Sequence, residues 1–255
     1  HGKSFDWGRT SSDYAKYRDI YPEEFYQKLI GMDLCVKGQK VLDIGTGTGV
    51  IPRNLYRYGA DFTGIDISEN QIEQAVMMAK DCGMNIDFQC TPAEKCGFAD
   101  ETFDVITACQ CFTYFNHEEL APLIWNMLKP GGRFVVLYMA WLPFEDKVAG
   151  KSEDLILKYN PAWTGCKEQR HPISVPDVYG KYFAVESENV FDIQVPFTRE
   201  SWNGRMKACR GIGASLSNEE IESFETEHRA LLKEIAPEEF NILHYAAMTV
   251  LRKCG

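Results

Sequence analysis

Glycine and aspartate residues near position 45 have a spacing that suits the binding of a nucleotide. The segment VLDIGTGTG occupies residues 41–49, and a second acidic residue, Asp66, ends the next apolar run. Glycine lets backbone amides approach a ligand that a Cβ would keep away. A carboxylate at the end of the following strand can accept hydrogen bonds from both hydroxyls of a ribose. Taken singly, Asp43 and Asp66 are equally consistent with residues that cap turns.

Alternating strands and helices must bring these residues together. Apolar runs predict strands over residues 40–45, 61–67, 85–90, 103–109, 133–138, 191–197 and 244–251. Helices are predicted to begin near Pro22, Val50, Ser68, Asn116, Thr198 and Ser217, with capping boxes at 68–71, 116–119 and 217–220. Strands that alternate with helices predict a mostly parallel sheet covered on both faces.

The second half of the chain is less regular. Residues 141–188 are rich in aromatic and turn residues and carry only weak strand signals. We therefore expect one seven-stranded α/β sheet with a cap insertion between its fifth and sixth strands. The expected division is 3–36 for N-terminal cap helices, 37–140 for the core, 141–190 for the insertion, and 191–255 for the rest of the sheet with its helices.

Two kinds of nucleotide cofactor could use a glycine loop of this type. A dinucleotide fingerprint reads G-x-G-x-x-G, but here the third glycine is Gly49 and position 50 is Val. The loop instead resembles motif I of the class I S-adenosylmethionine-dependent methyltransferases, in which an acidic residue precedes G-x-G-x-G. Asp43 stands at that acidic position.

Three further segments resemble the same family in order along residues 37–138. They are GIDIS at 64–68, PAEKCGFADETFD at 92–104, and LKPGGRF at 128–134. The family commonly has Asp at position 92 and Leu-Pro where this chain has Cys96-Gly97. The resemblance implies a Rossmann-like fold and S-adenosylmethionine as the cofactor, with S-adenosylhomocysteine as the product.

Two segments are similar to a small-molecule branch that includes the trans-aconitate-type methyltransferases. They are DYAKYRDIYP at 13–22 and CQCFTYF at 109–115. Thr113 and Tyr114 replace the branch's His-Trp, so no catalytic role is carried over to that position. The catalytic residues stay unknown, because a general base is needed only if the acceptor arrives protonated.

The resemblance implies a set of cofactor contacts. Asp43 would lie near the cofactor's ammonium, Asp66 at the ribose, and Arg18 at the carboxylate. The full expected set is Tyr14, Arg18, Asp43, Gly45, Thr46, Gly47, Asp66, Ile67, Gln71, Ala93, Glu94, Cys109 and Gln110. Tyr14 and Cys109 could instead serve only in packing. Arg18 could instead form an ion pair at the surface.

Aromatic and arginine residues suggest where an acceptor would bind. We expect contributions from Tyr17, Tyr114, Trp141, Trp202, Arg205 and Arg210. Such residues suit an apolar or anionic small molecule, but they are equally consistent with the core of the cap itself.

Charge and composition exclude other function classes. The formal net charge is −10, which disfavours DNA or RNA as a partner. No apolar run approaches the ~20 residues that a membrane span needs. Nine cysteines without a Cys-x-x-Cys motif favour reduced thiols in the cytoplasm over disulfides or zinc. We expect no secretory signal and interpret His1-Gly2 as the remnant of an affinity tag.

These features predict a cytoplasmic methyltransferase that transfers a methyl group to a small molecule by in-line displacement. Two alternatives remain: a non-catalytic S-adenosylmethionine-binding protein or subunit of a methylating complex, and an NAD(P)-dependent oxidoreductase. The acceptor, its reacting atom and the oligomeric state lie beyond the sequence.

Overall fold

The computed structural model describes residues 19–255. Contacts divide these residues into two compact units. The sheet unit comprises Glu23–Met139, His171–Phe191 and Ala246–Gly255. The insert unit comprises Ala140–Arg170 and Asp192–Tyr245 together with residues 19–22. The four-part division expected from the sequence stays a prediction.

Seven strands form one sheet, as expected. They are β1 (Lys40–Ile44), β2 (Asp61–Asp66), β3 (Asp87–Cys90), β4 (Phe103–Cys109), β5 (Leu128–Trp141), β6 (Phe183–Thr198) and β7 (Glu239–Lys253). Their order across the sheet is β3-β2-β1-β4-β5-β7-β6. The Rossmann-like fold class is thereby confirmed.

The central strand β1 is parallel to both of its neighbours. Asp43 pairs with Gly64 of β2 and with Thr107 of β4, and the pairings β2–β3 and β4–β5 are also parallel. Strand order reverses between β1 and β4. Open α/β sheets bind ligands beyond the carboxyl ends of their strands at such a switch point, and the glycine segment begins there.

Seven α-helices accompany the strands in the described chain. They are α1 (Glu23–Gly31), α2 (Val50–Leu55), α3 (Glu69–Asp81), α4 (His117–Met127), α5 (Lys147–Tyr159), α6 (Arg199–Lys207) and α7 (Asn218–Ile235). A 3₁₀ turn, Tyr56–Tyr58, ends α2 and is closed by Gly59 in a left-handed conformation. No helix start was predicted within residues 141–188, but α5 fills 13 of them.

Of the three predicted capping boxes, the one at Ser217 forms. Ser217 accepts from the backbone N–H of Glu220, and the Glu220 side chain accepts from the backbone N–H of Ser217. The boxes predicted at Ser68 and Asn116 were wrong, because neither side chain makes a capping hydrogen bond. At α3 the amide of Ser68 is instead held by the carboxylate of Asp66.

Strand β5 begins earlier than expected. The sequence predicts this strand from residue 133, but residues 129–132, which include Pro130 and two glycines, already lie within β5. Gly131 has a φ of +74° there, and the pairing with β4 shifts in register between Phe103 and Val105. The irregularity is of the kind that β-bulges produce, so a strand can accommodate a turn-like sequence.

Each unit has its own buried interior. In the sheet unit, Leu42, Ile106 and Phe134 belong to one apolar cluster beneath the helices. In the insert unit, α5 and α6 both pack on α7, whose buried face carries Phe224, His228 and Leu232 at intervals of four residues. This spacing places one stripe of a helix against its neighbours. No described helix is long and apolar enough to cross a membrane.

Candidate functional site

The loop between β1 and α2 adopts a backbone conformation that favours glycine at three positions. Gly45, Gly47 and Gly49 have φ values of +64°, +57° and +74°. Residues with a Cβ rarely adopt such angles. The sequence therefore folds into a tight loop directly after the central strand, and Gly49 leads into α2.

The three glycines differ in what lies above their α-carbons. A Cβ on Gly49 would come within 2.6 Å of the Phe88 ring, and one on Gly45 within 2.8 Å of Cys111 Sγ. At Gly47 the nearest atom is Gln71 Oε1, 3.8 Å away. Gly45 and Gly49 thus serve close packing of the protein, whereas Gly47 leaves room for a ligand to approach the backbone.

Asp66 ties the loop to the end of β2. Its Oδ2 accepts a hydrogen bond from the backbone N–H of Gly47 (2.9 Å), and its Oδ1 accepts one from Ser68 N–H (2.9 Å). Burial raises the pKa of this carboxyl, and the amide donors oppose that shift. Each carboxylate oxygen can accept more than one hydrogen bond, so Asp66 keeps acceptor capacity for a ligand hydroxyl.

Asp43 lies beneath the loop. It is 1% exposed, and its two oxygens accept hydrogen bonds from Thr46 Oγ1 (2.7 Å) and Thr107 Oγ1 (2.6 Å). Burial raises the pKa of Asp43 to about 7, against the opposing effect of these hydroxyl donors. Thr46 is therefore occupied with Asp43 rather than with solvent.

Residues at the start of α3 line the space next to Asp66. Ile67 is 74% exposed, whereas Gln71 is 4% exposed. The buried Oε1 of Gln71 has no hydrogen-bond partner within residues 19–255. A buried amide oxygen without a donor is costly, and a ligand with an N–H or O–H group would satisfy it.

The strand ends beyond β1 contribute further predicted residues. Ala93 is buried in a 3₁₀ turn, Ala93–Lys95, and the Glu94 carboxylate accepts from the amide of Asn116 (3.0 Å). Cys109 ends β4 and is half-buried. Gln110 has a φ of +62° and donates from its side chain to the carbonyl of Met139. Such left-handed non-glycine residues tend to cluster at binding sites.

Sequence reasoning missed Cys111 and Phe88. The Cys111 thiol donates to the Ile44 carbonyl (3.1 Å) and packs on Gly45. Phe88 of β3 fills the space above Gly49 and Gly64. The presence of glycines was a signal that close neighbours exist, but their identity depends on the strand order.

The predicted acceptor residues fall in different parts of the chain, and their role stays a prediction. Tyr14, Tyr17 and Arg18 lie outside the described residues. Tyr114 is 61% exposed in the sheet unit.

The other predicted acceptor residues belong to the insert unit. Trp202 is fully buried there and donates to Ser152 Oγ, while Arg205 lies over the Trp141 ring at 5.1 Å. Arg210 is half-buried, and its carbonyl accepts from Ser215. Trp141, Trp202 and Arg205 therefore contribute to the interior of their own unit.

No group of three or more metal-ligating side chains occurs within the described residues, and all nine cysteines are free thiols. The site is therefore built from glycine backbone, carboxylates and one amide side chain. That donor set suits a nucleoside rather than a metal ion.

Comparison with known families decides between the nucleotide cofactors. Residues 41–132 match the family model described as "Methyltransferase domain". This part of the chain is similar to a methyltransferase domain. The matched range runs from β1 to the start of β5 and includes every glycine and aspartate of the loop site.

Curated relatives match about half of the chain. Ubiquinone biosynthesis O-methyltransferase of Coxiella burnetii (strain Dugway 5J108-111) is 32% identical over 129 residues, which are 50% of this chain and 54% of that protein. The Azoarcus sp. (strain BH72) protein of the same name is 34% identical over 128 residues, with 49% and 54% covered. The chain thus spans about half the length of the curated relatives it matches.

Solved structures share the fold at low identity. The YcgJ protein from Bacillus subtilis superposes with a TM-score of 0.54 at 20% identity, covering 92% of this chain and 100% of that one. The [4+2]-cyclase SpnF superposes with a TM-score of 0.58 at 16% identity, covering 97% and 94%. Since a cyclase is among them, the fold alone does not fix the reaction.

The residues present fit S-adenosylmethionine. Open space lies beside the backbone of Gly47, and Asp66 binds its amide with acceptor capacity remaining. The exposed Ile67 and the unpartnered Gln71 Oε1 lie at the start of α3, where an apolar and hydrogen-bonding base can lie. This set of groups is compatible with a ribose and a purine.

Proposed function

We propose that this protein is an S-adenosylmethionine-dependent methyltransferase that acts on a small-molecule acceptor. The observation that carries the proposal is the pairing of Asp66 with Gly47. Their 2.9 Å hydrogen bond holds a ribose-binding carboxylate against the open glycine of the loop.

Different residues of the chain would bind different parts of the cofactor. Asp66 takes the ribose hydroxyls, Ile67 and Gln71 flank the adenine, and Ala93 and Glu94 meet its edge. Gly45, Thr46 and Gly47 pass beneath the methionine moiety, while Cys109 and Gln110 face the sulfur. The sequence resemblance adds Tyr14 and Arg18, which lie outside the described residues, to this set.

When bound, S-adenosylmethionine supplies an electrophilic methyl group that an acceptor takes by in-line displacement. The protein's part is to align the acceptor and exclude water. The buried loop site and the rigid strand ends suit that task. No general base is assigned, since a deprotonated acceptor would need none.

The acceptor class follows from the relatives. Because the curated relatives are named ubiquinone biosynthesis O-methyltransferases, small molecules with a hydroxyl group are the first acceptors to test. Tyr17, Tyr114, Trp141, Trp202, Arg205 and Arg210 remain the acceptor residues suggested by type. The net charge of −10 supports a partner other than nucleic acid, and we propose a cytoplasmic location.

Product formation tests the proposal. The purified chain is incubated with S-adenosylmethionine carrying a labelled methyl group and a panel of hydroxylated small molecules, and products are identified by mass spectrometry. We expect S-adenosylhomocysteine and a methylated acceptor in equal amounts, both reduced in Asp66→Asn at subsaturating S-adenosylmethionine. Binding of S-adenosylmethionine without turnover on any acceptor would favour a non-catalytic binding protein.

A further inference from the structure

One ring nitrogen of His244 is buried without a hydrogen-bond partner. His244 lies in β7 and is 1% exposed, and its Nε2 has no partner within residues 19–255. A buried polar atom of this kind carries the full cost of losing its water. It calls for a specific cause, such as a bound group. His244 lies outside residues 41–132, which match the methyltransferase family model.

The other ring nitrogen of His244 determines what Nε2 can do. Nδ1 lies 3.0 Å from the carbonyl oxygen of Ile242. Because a carbonyl only accepts hydrogen bonds, Nδ1 carries the proton, and in a neutral imidazole the second nitrogen is then an acceptor. Burial, aided by the charge of Arg205, lowers the pKa of His244 to about 3 and keeps the ring neutral. Nε2 therefore needs a partner that donates.

Aromatic rings surround His244 within the insert unit. Its ring stacks on Phe197 with the centroids 6.2 Å apart, and the rings of Trp141 and Trp202 stand edge-on to it, each at 6.4 Å. Both indole N–H groups donate to other side chains, so neither is available to Nε2. An enclosed water is held well only where several polar partners meet. Flat apolar walls instead suit a planar ring.

The charge of Arg205 limits the kind of donor that fits beside Nε2. Its guanidinium lies over the Trp141 ring at 5.1 Å and opposes protonation of His244 electrostatically. The same charge repels an ammonium group, because like charges repel strongly where water is excluded. A neutral hydroxyl avoids this repulsion and can donate one hydrogen bond. A hydroxyl on a planar ring is therefore the matching group.

We propose that His244 is a specificity-determining residue that binds a hydroxyl group of an aromatic acceptor through Nε2. This inference rests on the proposed function, whose acceptor it describes. The hydroxyl donates to Nε2, and the ring of the acceptor packs against Phe197 and the two tryptophans. An acceptor without the hydroxyl leaves Nε2 unpaired and binds more weakly. The aromatic walls also keep water from the bound acceptor, as methyl transfer requires.

Paired ligands test the inference by binding alone, without any turnover. The protein saturated with S-adenosylhomocysteine is titrated with phenol and catechol, and separately with toluene and 1,2-dimethylbenzene, in which a methyl group replaces each hydroxyl. Ligand-observed NMR measures the affinities. We expect the wild type to bind at least one hydroxylated probe. The ratio of its affinity to that of its methyl counterpart should fall by about tenfold in His244→Asn, because the hydrogen bond to Nε2 is lost.

Asparagine at position 244 separates the two ring nitrogens. Its amide can stand where Nδ1 stood and keep the bond to Ile242, but it has no atom at the place of Nε2. His171→Asn is the matched control, because Nδ1 of the exposed His171 also lies beside a carbonyl, that of Pro172 at 2.8 Å. It should keep the wild-type ratio.

A measurement on the wild type carries the test if His244→Asn does not fold. Nitrogen NMR of the protein with labelled histidine follows the unprotonated nitrogen of His244. Its signal should shift when the hydroxylated probe binds, because the nitrogen accepts a hydrogen bond, and should stay in place with the methyl counterpart. A signal that responds alike to both probes would contradict the inference.

The outcomes separate the inference from the proposed function. If S-adenosylhomocysteine binds but neither hydroxylated probe does, or if His244→Asn keeps the wild-type ratio, the inference about His244 is overturned while the proposed function stands. If S-adenosylhomocysteine does not bind, the proposed function fails and the inference fails with it.

Discussion

The thiol of Cys111 lies directly over the α-carbon of Gly45, so that a Cβ at position 45 would approach its sulfur to 2.8 Å. The same thiol donates to the carbonyl of Ile44. The segment after β4 therefore holds the end of β1 in place from above. Because both strands are central in the sheet, the loop's shape is set by packing before any ligand arrives.

Replacing Gly45 by alanine tests this contact. Gly45→Ala should destabilise the protein both through its left-handed backbone, at about 1–2 kcal/mol, and through overpacking against Cys111, at about 1–3 kcal/mol. The measurement is the free energy of unfolding in urea.

Gly83→Ala is the matched control for Gly45→Ala. Gly83 has a nearly identical φ of +66°, but no atom lies within 4 Å of the position that an alanine methyl group would take there. It should show the backbone cost alone. Equal losses of stability in the two variants would contradict the Cys111 contact.

Asp66→Asn should weaken S-adenosylhomocysteine binding by about 10- to 100-fold. The reason is the loss of charge-assisted hydrogen bonds, each worth about 1.5–3 kcal/mol. Isothermal titration measures the affinity, and Asp61→Asn on the same strand serves as the control. An unchanged affinity in Asp66→Asn would remove Asp66 from the ribose site.

Acid should destabilise the protein through His228. Its Nδ1 lies 2.9 Å from Asn203 Oδ1 and its Nε2 lies 2.9 Å from Ser152 Oγ, and burial lowers its pKa to about 4. In the unfolded chain this histidine takes up a proton near pH 6.5, whereas in the folded protein it takes one up only near pH 4. The free energy of unfolding is therefore highest above pH 6.5 and decreases by about 3 kcal/mol as the pH falls to 4.

His228→Gln should flatten the pH dependence of unfolding between pH 6.5 and 4. Buried His244, whose pKa is lowered to about 3, keeps part of the slope. Exposed His171→Gln is the control and should follow the wild type. Urea unfolding at several pH values measures the slopes, and a His228→Gln slope as steep as the wild-type slope would rule out this assignment.

Two serines with the same sequence signature should respond differently to alanine. Ser217→Ala removes the hydroxyl that accepts from the Glu220 amide in a formed capping box and should cost about 1 kcal/mol. Ser68→Ala removes no capping bond and should leave the free energy of unfolding nearly unchanged. Equal losses would show that the two helix starts are capped alike.

The two serines also show which structural features local sequence patterns predict and which they do not. The strands, the glycine loop and most helix starts follow from local patterns, because apolar periodicity and glycine act within a few residues. At α3 the Ser68 side chain makes no capping bond, and Asp66 accepts from the Ser68 amide and also from the amide of Gly47 in the loop. The contact between Asp66 and Gly47 joins residues 19 positions apart, and no local pattern predicts it.

Other features depended on the assembled chain in the same way. Helix α5 was not predicted, because its segment is rich in aromatic and turn residues. Its start is stabilised by Asp146, whose side chain accepts hydrogen bonds from the amides of Val148 and Ala149. The third loop glycine seemed to distinguish two cofactor classes, yet its α-carbon is covered by Phe88 of β3. Only the strand order brings Phe88 there.

The identity of the ligand at Gly47 and Asp66 is the central claim. Isothermal titration of the wild-type protein with S-adenosylmethionine, S-adenosylhomocysteine and NAD in parallel tests it most directly. The account predicts saturable binding of the first two at one site per chain and no binding of NAD. Binding of NAD alone would contradict it.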